Sequence, residues 1–359
     1  MGVINGLFMD KIEPIIKKLS LGDSLTVEES RLAFNVIGDF DRDGYFFTAL
    51  TMGLMSKKPT LNELYGFCLD RQDRIGSINV GVDRSKIIDL SGGGGDVIKT
   101  INVSTAAAIV LAAGGVYVAK QCAKAMTGFM GSSDVLEEIG IPIPTDKAET
   151  DSIKEFLEKN GLVFYNYASL SPKRFINFLN WRKKMIRIGL KYFIPHHIAS
   201  FAYSPIAMDN RIYGVANPNH MTLLGELLQK LGYKKIMVVH GIDGLDEVSN
   251  IGKTKIIEIV DGKKKEYEVS PADFGVKKAA IKDIAVRNRK QAFQDFTRVL
   301  FGEDDDAKRD LVAVNAAAGF YLTGKVKNLK EGTQLAIELI ESGKVSNKLE
   351  EIMNLSLND

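Results

Sequence analysis

The chain has 359 residues, of which 45% are hydrophobic and 26% charged, so it can bury the core of one large domain or of two ordinary ones. Its 47 basic and 45 acidic residues leave a net charge of +2, which excludes a general attraction to nucleic acid or anionic membranes. The two cysteines provide no disulfide framework and favour a reducing compartment.

The first residues carry Asp10 and Glu13 and lack a long apolar core, which argues against a secretory signal. The longest apolar run, residues 106–119, contains two adjacent glycines and is too short to cross a bilayer. We therefore expect a cytoplasmic protein with no membrane partner.

The first part of the chain is predicted to be helical. Apolar residues recur at helical spacing through residues 8–75. Breaks at residues 22–23, 38–44 and 57–60 divide this region into about four short helices. Thr60 and Glu63 match a capping box, in which each side chain caps the other residue's backbone. Residues 1–84 are therefore predicted to form a small helical domain, which is also a candidate dimerisation surface.

Strand-like segments alternate with helical ones from residue 86 onward. The predicted strands are residues 86–90, 116–119, 161–165, 211–215, 235–240 and 255–260. Such alternation predicts a mainly parallel central sheet with helices packed on it. The fold class is therefore α/β: a small helical N-terminal domain plus a larger α/β domain that comprises residues 85–171 and 201–359.

Three further segments complete this outline. Residues 172–189 are predicted to form a helical segment rich in bulky and basic residues, and we expect residues 172–200 to pack on the helical domain. The lysine run 263–265 follows an Asp-Gly pair and predicts a solvated hairpin turn. The end of the chain predicts two helices, over residues 311–321 and 329–342, each followed by a glycine.

Four consecutive glycines lie between the first predicted strand and a predicted helix over residues 104–113; they are Gly92, Gly93, Gly94 and Gly95. Backbone N–H groups of such a loop, close to a helix N-terminus, can bind a phosphate without obstruction from side chains. Polar side chains follow at once, at Asp96, Lys99, Thr100, Asn102, Ser104 and Thr105. A flexible surface loop is the alternative interpretation, and the Asn-x-Ser-Thr sequence favours the phosphate site.

A second polar cluster follows the next predicted strand. Lys120 comes directly after residues 116–119 and is placed to contact an anionic oxygen, although a lone lysine is ordinarily a surface residue. The paired serines Ser132 and Ser133 can bind another phosphate oxygen.

An acidic pair, Asp246 and Glu247, follows the predicted strand 235–240. Adjacent acidic residues usually lie on the solvent-exposed surface and bind nothing. Here they follow a strand end, where open α/β sheets place their ligands, so a site for a hard cation such as Mg²⁺ is an equally good interpretation. A phosphate-binding loop, a lysine and this pair together indicate a phosphorylated or pyrophosphorylated substrate.

These motifs resemble those of the anthranilate phosphoribosyltransferases, within a wider group that includes the pyrimidine nucleoside phosphorylases. The family's Gly-Thr-Gly-Gly-Asp and Asn-x-Ser-Thr are similar to residues 92–96 and 102–105. Its Gly-Ser-Ala-Asp-x-Leu-Glu resembles residues 131–137, and its Asp-Gly-Leu-Asp-Glu is unchanged at residues 243–247. The resemblance extends over nearly the whole chain, and the acidic motif favours the transferases over the phosphorylases.

The resemblance implies a helical domain joined by a hinge to an α/β domain, commonly with a homodimer formed through the helical part. It implies that phosphoribosyl pyrophosphate (PRPP) is held by residues Gly92 to Asp96, Thr100, Asn102, Ser104, Thr105, Lys120, Ser132 and Ser133. It implies a Mg²⁺ site at Ser104, Asp246 and Glu247. The metal would neutralise the departing pyrophosphate while positive charge develops at the ribose carbon, so that an amine attacks without a strong base.

Departures from the family pattern are concentrated where the acceptor would bind. The family's Lys-His-Gly-Asn-Arg is replaced by Lys-Gln-Cys-Ala-Lys at residues 120–124, and its Gly-Pro-Leu-x-Asn-Pro aligns with residues 200–205. The arginine that the family uses to bind the anthranilate carboxylate has no aligned counterpart, although Arg182 and Arg187 lie nearby in the sequence. The predicted acceptor pocket comprises Gln121, Ala123, Arg182, Arg187, Ser200, Phe201 and Tyr203.

The leading hypothesis is a Mg²⁺-dependent phosphoribosyltransferase whose acceptor is an amine or other nitrogen compound different from anthranilate, because the hydrogen-bond partners of that small acid have been replaced. One alternative is an anthranilate phosphoribosyltransferase of tryptophan biosynthesis with an altered pocket. Another is a non-catalytic relative that binds a nucleotide or nucleic acid. The near-neutral charge and the acidic pair disfavour nucleic acid, whereas a local basic groove favours it, at Arg174, Arg182, Lys183, Lys184 and Arg187.

Overall fold

A computed structural model describes residues 2–41, 43–125, 128–144, 149–166, 199–303 and 307–355, together with 170, 177, 178, 180, 181, 184, 185 and 187. Side chains are described from residue 9 onward. The first part contains the helices α1 (Gly2–Ser20), α2 (Val27–Phe40), α3 (Tyr45–Lys57) and α4 (Leu61–Ile75). The capping box predicted at Thr60 and Glu63 is confirmed at the start of α4, and a second one, at Thr26 and Glu29, begins α2.

A seven-stranded sheet forms the centre of the remaining chain. Its strands are β1 (Ile87–Gly92), β2 (Tyr117–Gln121), β3 (Leu162–Tyr165), β4 (Asn210–Gly214), β5 (Lys235–Gly241), β6 (Thr254–Val260) and β7 (Lys263–Val269). The strand order is β3-β2-β1-β4-β5-β6-β7, and all pairs from β3 to β5 are parallel. Because the strand order reverses between β1 and β4, a ligand crevice is expected beside the carboxyl ends of these strands.

Helices cover both faces of this sheet. They are α5 (Val103–Ala113), α6 (Ser132–Ile139), α7 (Thr150–Asn160), α8 (Met221–Lys230), α9 (Ile281–Ile284), α10 (Arg289–Leu300), α11 (Ala307–Leu322), α12 (Leu329–Glu341) and α13 (Lys344–Met353). Side chains alternate along each strand, so Ile88 and Leu90 join the core under α5 and α11. Ile87, on the opposite face of β1, joins the core that also contains the N-terminal helices. The predicted α/β fold class is confirmed.

The lysine run 263–265, predicted to be a turn, begins the edge strand β7 instead. The turn is formed by the two preceding residues, Asp261 and Gly262, which have φ of +47° and +83°. Strand β7 pairs with β6 from Lys263 onward. The strand pattern was obscured because most of β7 is exposed. Charged side chains are tolerated there and protect a sheet edge from pairing with other chains.

The segment 172–200 lies largely outside the described residues. Two of its described members, Phe178 and Trp181, contact Phe47 of α3 with ring centroids 5.2 and 5.1 Å apart. Gly44, before α3, has φ of +82° and leaves room for the Trp181 ring. The described helices include none that is both long and apolar enough to span a membrane.

Candidate active site

A cavity of about 460 Å³ opens at the carboxyl ends of β1, β2, β4 and β5. Fifteen of the predicted site residues line it. They are Gly92, Gly93, Gly94, Asp96, Thr100, Asn102, Ser104, Lys120, Gln121, Ala123, Ser132, Ser200, Phe201, Asp246 and Glu247. The fold therefore brings together, in one cavity, residues that are distant in the sequence.

The other predicted site residues lie elsewhere. Gly95, Thr105, Ser133, Arg187 and Tyr203 are not among the described residues that line the cavity. Thr105 and Ser133 are buried, Arg187 is exposed, and the Tyr203 hydroxyl donates to the Gly76 carbonyl at 2.7 Å. Arg182 is outside the described residues, as are Arg174 and Lys183 of the predicted basic groove.

The glycine loop and the acidic loop are in direct contact. The Gly94 N–H donates to Asp246 Oδ2, and Gly94 has φ of +71°, a conformation that favours glycine. A Cβ on Gly214 would lie 1.6 Å from the Asp246 carbonyl oxygen, and one on Gly92 would overlap the Asp246 carboxylate. Glycines at the ends of β1 and β4 therefore allow the acidic loop to approach the sheet.

Burial of the acidic pair perturbs its ionisation. Burial, with repulsion from Asp96, raises the pKa of Asp246 to about 7, and burial with repulsion from Asp246 raises the pKa of Glu247 well above its usual value. Thr100 donates to Glu247 Oε1 at 3.1 Å, while Asp96 is paired with Lys99 at 3.3 Å. Carboxylates held together in this way are stabilised in their charged form by a cation.

The donor set fits a partly hydrated metal better than a closed protein site. No three His, Cys, Asp or Glu side chains converge in metal-binding geometry within the described ranges. Mg²⁺ is commonly held by one or two carboxylates while water and substrate phosphate complete its coordination. Asp246 and Glu247, both partly buried at the wall of an open cavity, match that requirement.

Lys120 supplies a buried positive charge between the glycine loop and α5. Its Nζ donates to the Leu90 carbonyl and to Ser104 Oγ at 3.2 Å. Burial lowers its pKa, and the nearby Asp89 carboxylate opposes that effect. An ammonium group fixed beside a helix N-terminus is suited to binding a phosphate oxygen.

Gln121, at the end of β2, is a buried polar residue of the cavity wall. Its Nε2 donates to the Ser200 carbonyl at 3.5 Å, while its Oε1 has no hydrogen-bond partner among the described residues. A buried acceptor without a partner is costly, so this oxygen is suited to accept a hydrogen bond from a ligand N–H group. The amide cannot act as a general base, so its role would be to orient such a ligand.

A buried ion pair under the cavity was missed in the sequence. Asp89 of β1 and Arg211 of β4 are register partners, their side chains form a salt bridge, and both are fully buried. Arg211 also donates to the Phe201 carbonyl and Tyr233 to the Ala202 carbonyl at 2.9 Å. The ion pair therefore anchors the backbone that carries part of the predicted acceptor pocket.

Two further groups of lining residues were missed. Asn315 of α11 accepts from the Val248 N–H at 3.0 Å and donates to the Val248 carbonyl at 2.9 Å, which fixes the chain directly after Glu247. Phe67 and Arg71 of α4 also line the cavity, and their four-residue spacing places them on one helix face. Nothing local in the sequence shows that this face meets the sheet.

Comparison with known proteins gives consistent matches. A family model described as the a/b domain of a glycosyl transferase family matches residues 84–346. The anthranilate phosphoribosyltransferase of Clostridium beijerinckii is 33% identical over 347 residues, which are 96% of this chain and 99% of that protein.

Solved structures share the fold. The anthranilate phosphoribosyltransferase (TrpD) from Thermus thermophilus has a TM-score of 0.82 and 27% identity over 94% of this chain and 98% of its own. The Saccharomyces cerevisiae enzyme, solved in complex with PRPP and Mg, has a TM-score of 0.80 over 96% of this chain and 97% of its own. At 22% identity, the yeast structure shows likeness of fold.

These comparisons confirm the family and the enzyme class that the sequence motifs predicted, a phosphoribosyltransferase. The chain belongs to the glycosyl transferase family that contains the anthranilate phosphoribosyltransferases.

Proposed function

We propose that this protein is a Mg²⁺-dependent enzyme that transfers phosphoribose from PRPP to a nitrogen acceptor other than anthranilate. The main support is the contact between the glycine loop and Asp246 in a cavity that also holds Lys120 and Glu247. A glycine loop beside a helix N-terminus and a carboxylate pair meet there, as a pyrophosphate with its cation would require.

The donor would bind between α5 and the acidic loop. Asn102, Ser104 and Lys120 would hold its phosphates against the backbone of Gly92 to Gly94. Asp246 and Glu247 would hold Mg²⁺, with Ser104 as a further candidate ligand. The metal would supply charge neutralisation for the leaving pyrophosphate. Thr105 and Ser133 are buried outside the cavity lining. They would therefore help to position their neighbours Ser104 and Ser132 rather than contact the donor.

The acceptor would bind against Gln121, Ala123, Ser200 and Phe201. Gln121 Oε1 would accept a hydrogen bond from the attacking nitrogen and so orient its lone pair, an effect of proximity and alignment rather than of proton transfer. This wall lacks the histidine and asparagine that the family pattern places at residues 121 and 123. A site that has lost such hydrogen-bond partners discriminates against the ligand that needs them.

The second candidate function is phosphoribosylation of anthranilate itself. It is supported by the relative from Clostridium beijerinckii, an anthranilate phosphoribosyltransferase 33% identical over nearly the whole chain. A turnover assay with anthranilate, PRPP and Mg²⁺ separates the two proposals. Efficient formation of the phosphoribosyl product would overturn the first, and pyrophosphate release only with another amine would overturn the second.

Asp246→Asn and Glu247→Gln are each expected to weaken PRPP binding in the presence of Mg²⁺ by about tenfold or more, because each removes a charge-assisted ligand of the cation. Isothermal titration calorimetry measures the affinity with and without Mg²⁺. Asp283→Asn is the matched control, because Asp283 caps the short helix α9 outside the cavity. Absence of PRPP binding by the unaltered protein would contradict both candidate functions.

Mg²⁺ is expected to raise the melting temperature more at pH 8 than at pH 5.5. Asp246 has a pKa raised to about 7 in the folded protein, against a usual value near 4, so the metal-free fold loses stability as pH rises through this interval. Mg²⁺ needs the ionised carboxylates and therefore competes with protons at low pH. Differential scanning fluorimetry at both pH values tests this, and an equal Mg²⁺ effect at both would contradict it.

We further propose a cytoplasmic homodimer formed through the N-terminal helices, which would comprise residues 1–84 with the segment 172–200 packed on them. Support comes from large apolar side chains exposed on these helices and their turns: Met9, Leu21, Leu32, Phe40, Tyr45 and Met52. Cys68 and Cys122 are free and buried, as in a reducing compartment. Light scattering after size-exclusion chromatography tests the dimer, and a monomer mass at micromolar concentration would contradict it.

A further inference from the structure

A segment outside the cavity lining carries a concentration of positive charge. Residues 277–290 contain six basic side chains and one acidic one, in a chain whose net charge is +2, so the remaining residues are net negative. Arg289 is neutralised by Glu138, to which it donates at 2.8 Å. The other five basic side chains are exposed and form no salt bridge with any residue that the structure describes. They form the basic rim, which comprises Lys277, Lys278, Lys282, Arg287 and Lys290.

The sheet topology brings this segment to the edge of the sheet at which the cavity opens. Strand β7 ends at Val269, which pairs with Thr254 of β6, and Thr254 pairs with Gly241 at the carboxyl end of β5. The chain that follows β7 therefore begins beside the carboxyl ends of the parallel strands, where the cavity lies.

Backbone hydrogen bonds then join the segment to both loops of the donor end. The Ala279 N–H donates to the Asn250 carbonyl at 2.9 Å, three residues after Glu247. The Val286 N–H donates to the carbonyl of Lys99 at 2.8 Å, and Lys99 lines the cavity. The residues of the basic rim are therefore held next to the loops that would bind the pyrophosphate and its cation.

The donor end itself would repel an approaching anion until a cation binds there. Its wall carries the carboxylates of Asp96, Asp246 and Glu247. Of the two lysines nearby, Lys99 is paired with Asp96 and Lys120 is buried. PRPP carries a phosphate and a pyrophosphate and is strongly anionic. Charges of one sign around a cleft raise the association rate of a ligand of opposite charge by about 10- to 1,000-fold, so exposed cations beside this end would offset the repulsion.

We propose that the basic rim is an electrostatic capture surface, which draws the anionic donor to the mouth of the cavity. None of its five side chains is among the described residues that line the cavity, so they would raise the rate of association without contacting the bound donor. The inference rests on the proposed function, because it takes PRPP as the ligand of the cavity.

The triple variant Lys282→Gln/Arg287→Gln/Lys290→Gln tests this proposal in the full-length protein. PRPP with Mg²⁺ is titrated calorimetrically at ionic strengths of about 0.03 M and about 0.5 M, because salt screens exposed charges. The variant is expected to bind PRPP about five- to tenfold more weakly at the lower ionic strength and less than about twofold more weakly at the higher. Stopped-flow fluorescence of Trp181, which contacts Phe178 of the cavity wall, is expected to show a slower association and an unchanged dissociation rate.

The control variant removes the same charge from the opposite edge of the sheet. It is Lys263→Gln/Lys264→Gln/Lys265→Gln, at three exposed lysines that begin β7. Lys263 pairs with Val260, and Val260 pairs with Lys235 at the amino end of β5, away from the cavity. Because both variants change the net charge equally, the control is expected to bind PRPP within about twofold of the unaltered protein at both ionic strengths.

The proposal is overturned if the rim variant binds PRPP normally at low ionic strength, if its loss lies in the dissociation rate, or if the control loses as much. Melting temperatures show that the variants fold, and Lys277→Gln/Lys278→Gln replaces the triple variant if that one does not. Inorganic pyrophosphate, titrated in the same way, separates this inference from the proposed function. If only pyrophosphate binds and depends on the rim, the proposed function fails and the capture of pyrophosphate anions stands. If PRPP binds equally to all variants, the capture surface fails and the proposed function stands.

Discussion

Arg211→Met is expected to lower the free energy of unfolding by about 3–5 kcal/mol, because it leaves the Asp89 carboxylate buried without its charged partner. Both side chains are fully buried on the face of the sheet that is covered by the N-terminal helices. The Gln121 N–H, 3.3 Å from Asp89 Oδ2, and the Ser91 hydroxyl, 3.4 Å from Asp89 Oδ1, would remain, but two long hydrogen bonds from neutral donors compensate little of the cost of burying a charge. The Phe201 carbonyl would lose its arginine donor as well.

Urea unfolding followed by the fluorescence of Trp181, the single tryptophan, measures this loss. Arg84→Met is the matched control: Arg84 pairs with Asp209, but its side chain is 45% exposed and Lys234 also pairs with Asp209, so a loss of about 1 kcal/mol or less is expected. The double variant Asp89→Leu/Arg211→Met is expected to regain part of the stability, because it removes both charges. A loss below about 1 kcal/mol for Arg211→Met would contradict the prediction, because the Asp89 carboxylate would then remain buried without its charged partner at little cost.

The sequence predicted the parts of the fold that depend on local patterns. Each of the six predicted strands lies within one or two residues of an observed strand, because short apolar runs between glycines and helices are local signals. The loop of Gly92 to Gly95 and the pair Asp246 and Glu247 could also be identified as candidate ligand-binding motifs, because both follow predicted strands. Parallel strands bring their carboxyl ends to one edge, and this rule alone placed the two motifs in one cavity.

The features that escaped prediction depend on contacts between distant segments. Asp89 and Arg211 are 122 positions apart, and each alone resembles a charged residue at the end of a strand. Only the register between β1 and β4 shows that they meet. Arg71 escaped for a similar reason: the pattern of α4 predicts a helix, but the face that turns toward the cavity depends on how the N-terminal helices pack on the sheet.

Gly214→Ala is expected to disrupt donor binding more severely than any other single methyl group added at the site. Its Cβ would lie 1.6 Å from the Asp246 carbonyl oxygen and 2.4 Å from the carbonyl carbon. These are backbone atoms, so no side-chain rotation can relieve the overlap and the acidic loop must move. The Gly94 N–H contact to Asp246 would be lost with that movement.

The expected result is a loss of about 1–3 kcal/mol in the free energy of unfolding, the usual cost of overpacking, together with a much smaller Tm increase on addition of PRPP and Mg²⁺. Gly225→Ala in α8 is the control, because the closest neighbour of its Cβ would be the end of the flexible Ile259 side chain, at 3.2 Å, with ordinary contacts of 3.8 Å beyond it, and alanine favours a helix. Gly92→Ala is expected to be intermediate, because its nearest neighbour is the Asp246 carboxylate, which can rotate at a cost to metal binding. If Gly214→Ala kept the full ligand-induced Tm increase, the acidic loop would not need its observed position, and the assignment of Asp246 to the cation would fail.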